Sequence, residues 1–306
     1  MSAATEVPKN VAKRLTWNFD GETQLLQYKN VHTVCEESRC PNRHECSSLG
    51  IATFLIGGRE CTRACKFCHI ATAKPVPLAT IADKEHDDIL RAAVDGKYDY
   101  LVITSVARDD DEAGLAAHFA RITRSLNAEG ITVELLIPDF HNRAEHLAVI
   151  AEAGPAVIAH NMETIERLSP AIRPQASYRR SLDLFSHLKK HWPRVIRKSA
   201  LMVGLGETDE EVQQLLDDMK AGAIDIVSIG QYLRPSPEQA EVVRITALRN
   251  LSSSKVCDRA RLSGARGWSV CTQQLYGARY AGQIERRTCK EKAWLTATVS
   301  TAIFII

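Results

Sequence analysis

From Ile51 to Ile229 the 306-residue chain alternates short β-branched or apolar runs with longer amphipathic stretches, and that alternation restricts it to parallel strands joined by helices. Six runs read as strands: 52–56, 100–105, 132–137, 156–160, 196–202 and 225–229. Between them, residues 88–97, 112–127, 143–153, 178–191 and 209–221 read as helices. The last opens with Thr208 ahead of Asp209, Glu210 and Glu211, an N-cap followed by carboxylates where the helix dipole favours them. Six β/α units make either a doubly wound sheet or an open, partial barrel. In both, the loops that follow the strands converge on one face, so chemistry is expected there.

Those strand ends are unusually polar. They carry Thr104 and Ser105 followed by Arg108, Asp109 and Asp110; Pro138 and Asp139; His160, Asn161 and Glu163; and Lys198, Ser199 and the run Gly204-Leu205-Gly206-Glu207. Hydrophobic residues make up 45% of the chain, enough for a sizeable core. The 39 basic and 37 acidic residues leave a net charge of +2 with no block of one sign, so no nucleic-acid partner is implied. The apolar stretch 293–306 is broken by Thr and Ser and is shorter than the roughly 20 residues that span a bilayer, so no membrane partner is expected.

Six of the nine cysteines fall between residues 35 and 68. Cys61, Cys65 and Cys68 form C-x3-C-x2-C on a loop that follows the first strand and Gly57-Gly58. Three thiolates around an iron-sulfur cube leave one iron without a protein ligand, open to a small molecule. Cys35, Cys40 and Cys46, spaced C-x4-C-x5-C, can hold a second cube. The blander alternative is structural zinc, which needs four ligands; each triplet supplies three, and His44 or His69 would have to complete the set. Clustered free thiols suit a reducing compartment and a cytoplasmic chain. Cys257, Cys271 and Cys289 have no such spacing and are read as incidental.

The cysteine loop, placed directly after the first strand of a six-fold β/α series with Phe67 before its third cysteine, resembles the radical S-adenosylmethionine enzymes. Further motifs resemble the lipoyl synthase family. They are Cys35-x4-Cys40-Pro41-Asn42-x3-Cys46, Thr104-Ser105-Val106-x-Arg108-Asp109-Asp110, Ile137-Pro138-Asp139-Phe140, His160-Asn161-Met162-Glu163-Thr164, Lys198-Ser199-x-Leu201-Met202-Val203-Gly204-Leu205-Gly206-Glu207-Thr208 and Gly230-Gln231-Tyr232-Leu233-Arg234-Pro235-Ser236. The resemblance spans residues 33–244 and implies an α/β fold: a partial (β/α)6 TIM-type barrel of the radical S-adenosylmethionine type with an N-terminal cluster-binding extension.

It also implies two [4Fe-4S] clusters and S-adenosyl-L-methionine, with Cys61, Cys65 and Cys68 holding the radical cluster and Cys35, Cys40 and Cys46 the auxiliary one. Phe67, Thr104, Ser105, Asn161, Glu163 and Lys198 are expected around the S-adenosylmethionine; Arg173 is expected either to face the substrate entrance or to cap a helix. Arg108, Asp109 and Asp110 read equally well as a surface loop with internal ion pairs. The implied reaction inserts two sulfurs at carbons 6 and 8 of a protein-bound octanoyl group, unactivated positions that side-chain acid–base chemistry does not reach. Implied partners are octanoylated lipoyl carrier domains, namely 2-oxoacid dehydrogenase acyltransferase subunits and the glycine-cleavage H protein. A low-potential donor such as ferredoxin or flavodoxin is implied as well. The alternatives are another auxiliary-cluster sulfur-inserting enzyme of the superfamily, an inactive remnant, and a zinc-stabilised binding module.

Two departures from the family pattern stand out. A Gly-Gly pair after Arg108-Asp109-Asp110 is replaced by Asp111-Glu112-Ala113-Gly114-Leu115, and the closing Arg-Ser-Ser-Tyr motif, which supplies a serine ligand to the auxiliary cluster, is absent from the 306 residues. Suitable codons for 248–255, read in another frame, give PEEFEQLK; codons for 264–277 in the remaining frame give VREAGP and then RSSYM. The chain therefore divides into an N-terminal extension, 1–50, a core, 51–244, and a divergent tail, 245–306, read as translated out of frame.

Overall fold

In the computed structural model, which describes residues 31–33, 52–245, 269–271 and 303–304, strand order across the sheet follows chain order. The strands are β1 (His32–Thr33), β2 (Ala52–Ile56), β3 (Tyr100–Ser105), β4 (Thr132–Leu136), β5 (Val157–Ala159), β6 (Ile196–Val203), β7 (Ile226–Tyr232), β8 (Ser269–Cys271) and β9 (Ile303–Phe304). Neighbours from β2 to β7 pair in parallel, β1 lies antiparallel on β2, and β8 and β9 both pair with β7. A doubly wound sheet reverses its strand order midway, and this one does not. Right-handed crossovers that always step the same way put the long helices on one face and leave the other as the inside of a partial barrel. The choice left open by the sequence pattern is thereby settled.

The helices are α1 (Ala82–Asp95), α2 (Glu112–Ala128), α3 (Ala144–Ala151), α4 (Ser169–Ile172), α5 (Tyr178–His191) and α6 (Asp209–Ala221). Alternation along each strand sorts its side chains. Leu101 and Ile103 of β3, Val133 and Leu135 of β4, Leu201 and Val203 of β6, and Val227 and Ile229 of β7 enter the main core with Phe119, Leu147, Phe185 and Leu215 of the helices. Each such side chain contributes about 1.5–3 kcal/mol on burial. On the opposite face Ala200, Met202 and Tyr232 join Phe67, Ile172 and Leu205 in a second, smaller apolar cluster.

Helix limits at α5 and α6 fall where expected, and Thr208 closes a full capping box with Glu211. α1 begins six residues earlier than expected, because its polar first turn carries Asp83 and Glu85, and Glu85 is turned inward rather than to solvent. β7 runs on to Tyr232 because Met202 and Val203 of β6 extend opposite Gly230 and Gln231. The Asp111 substitution becomes a helix cap, its carboxylate accepting from Gly114 N at 2.9 Å. Cys35, Cys40, Cys46 and His44 lie outside the described residues, as does most of 245–306. Among the described residues no helix is long and apolar enough to cross a membrane.

Candidate active site

The cysteine loop leaves β2 through Gly57 and Gly58, at φ 84° and 92°, a region that L side chains adopt only with strain. Their N–H groups donate to the two oxygens of Glu85 at 3.0 and 2.9 Å, and the Gly57 carbonyl accepts from Arg108 at 3.0 Å. His118 Nε2 lies 3.0 Å from the same carboxylate. Further on, Cys61 N donates to Ala71 O at 2.9 Å and Ala73 N to Cys61 O at 3.3 Å, so both ends of the loop share one short parallel bridge. The Cys61 sulfur accepts from Arg63 N at 3.4 Å and Ala107 N at 3.3 Å.

Between the first two cysteines every residue is tied to the barrel, and Thr62 and Arg63 share Asp109. Thr62 bonds Ala107 O through its backbone and its hydroxyl; Ala64 N donates to Gln175 Oε1 at 3.1 Å. Arg63 forks onto Asp109 at 2.6 and 2.8 Å and reaches Asp139 at 2.8 Å, whose other oxygen accepts from Arg180 Nε at 2.8 Å. Burial opposes both charges. Hydrogen bonds and attraction between the partners outweigh it, holding Asp139 well below the usual carboxylate range and Arg63 above its ordinary value. The Arg108–Asp110 pair is indeed internal to its loop, while Asp109 belongs to Arg63.

Burial pushes the Cys65 thiol up to about 11, against the charge of Arg173, and the Cys68 thiol up to about 12, against a hydrogen bond with the Ile70 backbone. A nearby cation is what such thiols need in order to ionise and ligate. Zinc–sulfur bonds of about 2.3 Å would draw the sulfurs to within about 4 Å of one another. Among the described residues the group of three donors that crowds within 4.8 Å is Asp109, Glu112 and His141, not the cysteines, and His69 adds no such group. Three thiols on one short loop match a cube that leaves one iron without a protein ligand, so the donor set fits an iron-sulfur cluster.

Above the loop, Glu163 has a left-handed backbone, φ 63°, and its charge and that of Arg173 both act on Cys65. Arg173, almost fully buried, donates to the carbonyls of Asn161 at 2.9 Å and Met162 at 2.5 Å and to Ser181 Oγ at 2.9 Å. Its backbone also caps α4, the N–H donating to Ser169 O at 2.8 Å, while its side chain points inward, away from solvent. Ser181 Oγ is also 2.9 Å from His160 Nε2, and His160 Nδ1 is 2.9 Å from Ile137 O. With Arg173 donating to Ser181, the hydroxyl proton goes to Nε2 and Nδ1–H goes to Ile137, which requires a neutral ring. Burial, and secondarily Arg173, pushes His160 down to about 4.

The expected cofactor residues divide into two sets. Glu163 Oε2 and Ser105 Oγ are buried with no hydrogen-bond partner, and burial pushes the Glu163 carboxyl up to about 7 against Arg173 and a bond from Asn161. Phe67 packs in the smaller apolar cluster. These groups, with unmet hydrogen-bonding capacity beside a three-thiol loop, fit a polar ligand bearing a charged amine. Thr104, by contrast, donates to Leu136 O at 3.0 Å, and Lys198 Nζ is ion-paired with Glu134 at 2.7 Å in the interior. Sequence reasoning gave no role to Glu85, His118, Arg63, Arg180 or Glu134. The one available signal was the glycine pair, whose two N–H groups needed a buried acceptor.

Residues 55–219 match the Radical SAM superfamily. The lipoyl synthase of Caldicellulosiruptor bescii is 45% identical over 227 residues, covering 74% of this chain and 77% of its own. That of Bacillus cereus strain ATCC 14579 is 36% identical over 279 residues, covering 90% and 91%. Streptococcus suis SuiB bound to S-adenosylmethionine superposes with a TM-score of 0.58 at 14% identity, covering 78% of this chain and 56% of that one. The FeFe-hydrogenase maturase HydG from Carboxydothermus hydrogenoformans superposes with a TM-score of 0.55 at 11% identity, covering 72% and 53%. At such identities the two superpositions speak to the fold, while the sequence relatives, alike over most of both chains, place this one: it belongs to the lipoyl synthase family of the Radical SAM superfamily.

Proposed function

We propose that this chain forms the lipoyl group by replacing one hydrogen at carbon 6 and one at carbon 8 of an octanoyl chain with sulfur, the octanoyl being held in amide linkage to a lysine of a lipoyl carrier domain. The observation that carries the reading is the extended identity to lipoyl synthases, and the three-thiol loop at the barrel mouth supports it. Cys61, Cys65 and Cys68 would hold the radical cluster, and Cys35, Cys40 and Cys46 the auxiliary one. Bound together, the clusters and S-adenosylmethionine supply the electron, the hydrogen-abstracting radical and the sulfur. The protein's own groups bind and orient: Glu163 Oε2 and Ser105 Oγ offer acceptors to a polar ligand, Arg173 fixes the backbone that presents Glu163, and Phe67 with Met202 and Tyr232 gives an apolar wall. Octanoylated acyltransferase subunits and H protein are the proposed substrates, ferredoxin or flavodoxin the proposed donor, and the cytoplasm the proposed compartment.

Anaerobic reconstitution with iron and sulfide, then incubation with S-adenosylmethionine, reductant and an octanoyl-lysyl peptide, tests this. The expected product is peptide that has gained two sulfurs, with hydrogen unchanged in the reduced dithiol and two hydrogens fewer once oxidised to the dithiolane; unchanged peptide, or sulfur on a different substrate class, goes against it.

A second reading concerns the tail. The missing Arg-Ser-Ser-Tyr motif and the two family-like peptides in shifted frames favour residues 245–306 being out of frame, with the auxiliary cluster deprived of its serine ligand. Resequencing the gene decides it, and an unbroken frame through 245–306 removes the idea. If the tail is shifted, cofactor cleavage should persist while double sulfur insertion falls away.

A further inference from the structure

Four charged groups, Arg63, Asp109, Asp139 and Arg180, form one chain of ion pairs that begins inside the cysteine loop and ends on α5. Asp139 is completely buried, and all its capacity is used within the protein. Oδ1 accepts from Arg63 Nη2 at 2.8 Å and His141 N at 3.3 Å, while Oδ2 accepts from Arg180. Arg180 reaches the loop by a second route as well, since its Nη2 donates to Gln175 O at 3.0 Å and Gln175 Oε1 accepts from Ala64 N. Both routes converge on the three residues between Cys61 and Cys65.

Buried ion pairs return little net stability, because desolvating both partners consumes most of the attraction, and apolar replacements are often as stable. Four charges gathered on a three-residue connector therefore ask for an explanation in geometry. None of these bonds involves the thiols or any open position at the strand ends. The connector's shape is therefore set by bonds within the protein.

We propose that Asp139, acting through Arg63 with Arg180 behind it, is a positioning residue that preforms the three-thiol loop for cluster assembly. The inference rests on reading that loop as the cluster's ligand set. Held this way, the backbone that carries the sulfurs is kept from collapsing around a stray metal ion. The network also sums to zero charge, two cations against two carboxylates. Removing Asp139's charge leaves an excess positive charge beside the loop, and removing Arg180's an excess negative one. A reduced cluster is favoured by the first and disfavoured by the second.

The test compares Asp139→Asn, Arg63→Lys and Arg180→Gln with the unaltered chain in two states. In metal-free, reduced protein, mapped iodoacetamide labelling of Cys61, Cys65 and Cys68 should be roughly tenfold faster in Asp139→Asn and Arg63→Lys, reflecting local opening while far-UV circular dichroism is unchanged. After anaerobic iron and sulfide addition, cube formation in those variants should be slowed by roughly the same factor. The midpoint potential of the loop's cube should move up in Asp139→Asn and down in Arg180→Gln, opposite signs that simple loosening does not produce. Should Asp139→Asn fail to fold, Arg63→Lys is judged by the same labelling and assembly limits. Labelling and assembly rates equal to those of the unaltered chain would overturn the proposal. Absence of any cube in the unaltered chain would instead remove the reading of the loop as cluster ligands, while the labelling comparison still judges the preformed loop.

Discussion

Two buried polar regions lie inside the same half-barrel and behave in opposite ways. In the lower half Lys198 Nζ pairs with Glu134 Oε1 at 2.7 Å and the Tyr100 hydroxyl bonds the other carboxylate oxygen, so every group is matched. At the mouth Glu163 Oε2 and Ser105 Oγ are as inaccessible but have no partner. Leaving a buried polar group unmatched costs about 1–3 kcal/mol; of the several such groups among the described residues, Glu163 and Ser105 stand at strand ends, and Glu163 also acts on Cys65, which fits a ligand bound there. Position along the strand separates the two regions. Lys198 is the third residue of β6, whereas Ser105 is the last of β3 and Glu163 follows β5.

If the lower region is structural, breaking it should destroy stability first. Glu134→Gln strands a buried lysine charge and is expected to lower unfolding free energy by about 3–5 kcal/mol in denaturant titration; a loss under about 1 kcal/mol would mean water already reaches the pair. Next in size is a pH effect tied to the mouth's support. His160 is depressed from 6.5 to about 4 in the folded protein, so the unfolded chain takes up the proton first as pH falls. Its contribution, roughly 3 kcal/mol, is present above pH 6.5 and lost between 6.5 and 4. Denaturant titrations across that window should show a steeper decline in the parent than in His160→Gln.

At the mouth the balance should reverse. Glu163→Gln is expected to change stability by less than about 1 kcal/mol yet to weaken S-adenosylmethionine binding roughly tenfold or more, since a charged acceptor is lost; equilibrium dialysis reads the second effect. Smallest of all, Ser105→Ala should leave stability within about 0.5 kcal/mol and weaken binding only several-fold, the worth of one neutral hydrogen bond. A variant at Ser105 that unfolds the protein would erase the contrast between the regions.

The sequence made the barrel legible because periodicity is a local property: the limits of β2, β3, α5 and α6 follow from runs of apolar residues and from the Thr208 cap. It could not show that Glu85 turns inward, because a carboxylate in a polar first turn looks solvated until two glycine N–H groups arrive from the end of β2, 27 and 28 residues away. For the same reason Lys198 and Glu163 looked alike as polar residues near strand ends. Only the register of β4, β5 and β6, which brings Glu134 close to Lys198, tells a matched charge from a waiting one. The three cysteines were legible from spacing alone, while the ionic clamp between them depends on residues 46 and 76 positions distant.

The proposed chemistry requires the Cys61–Cys65–Cys68 loop to hold a cube with one iron open to S-adenosylmethionine. The most direct measurement is electron paramagnetic resonance of a reconstituted Cys35→Ala, Cys40→Ala, Cys46→Ala variant, reduced, with and without S-adenosylmethionine labelled with nitrogen-15 at its amino group. A signal from a cube of about four irons per chain that changes on addition and shows coupling to the labelled nitrogen is the predicted result. A cube whose spectrum ignores the cofactor, or no cube at all, would contradict it.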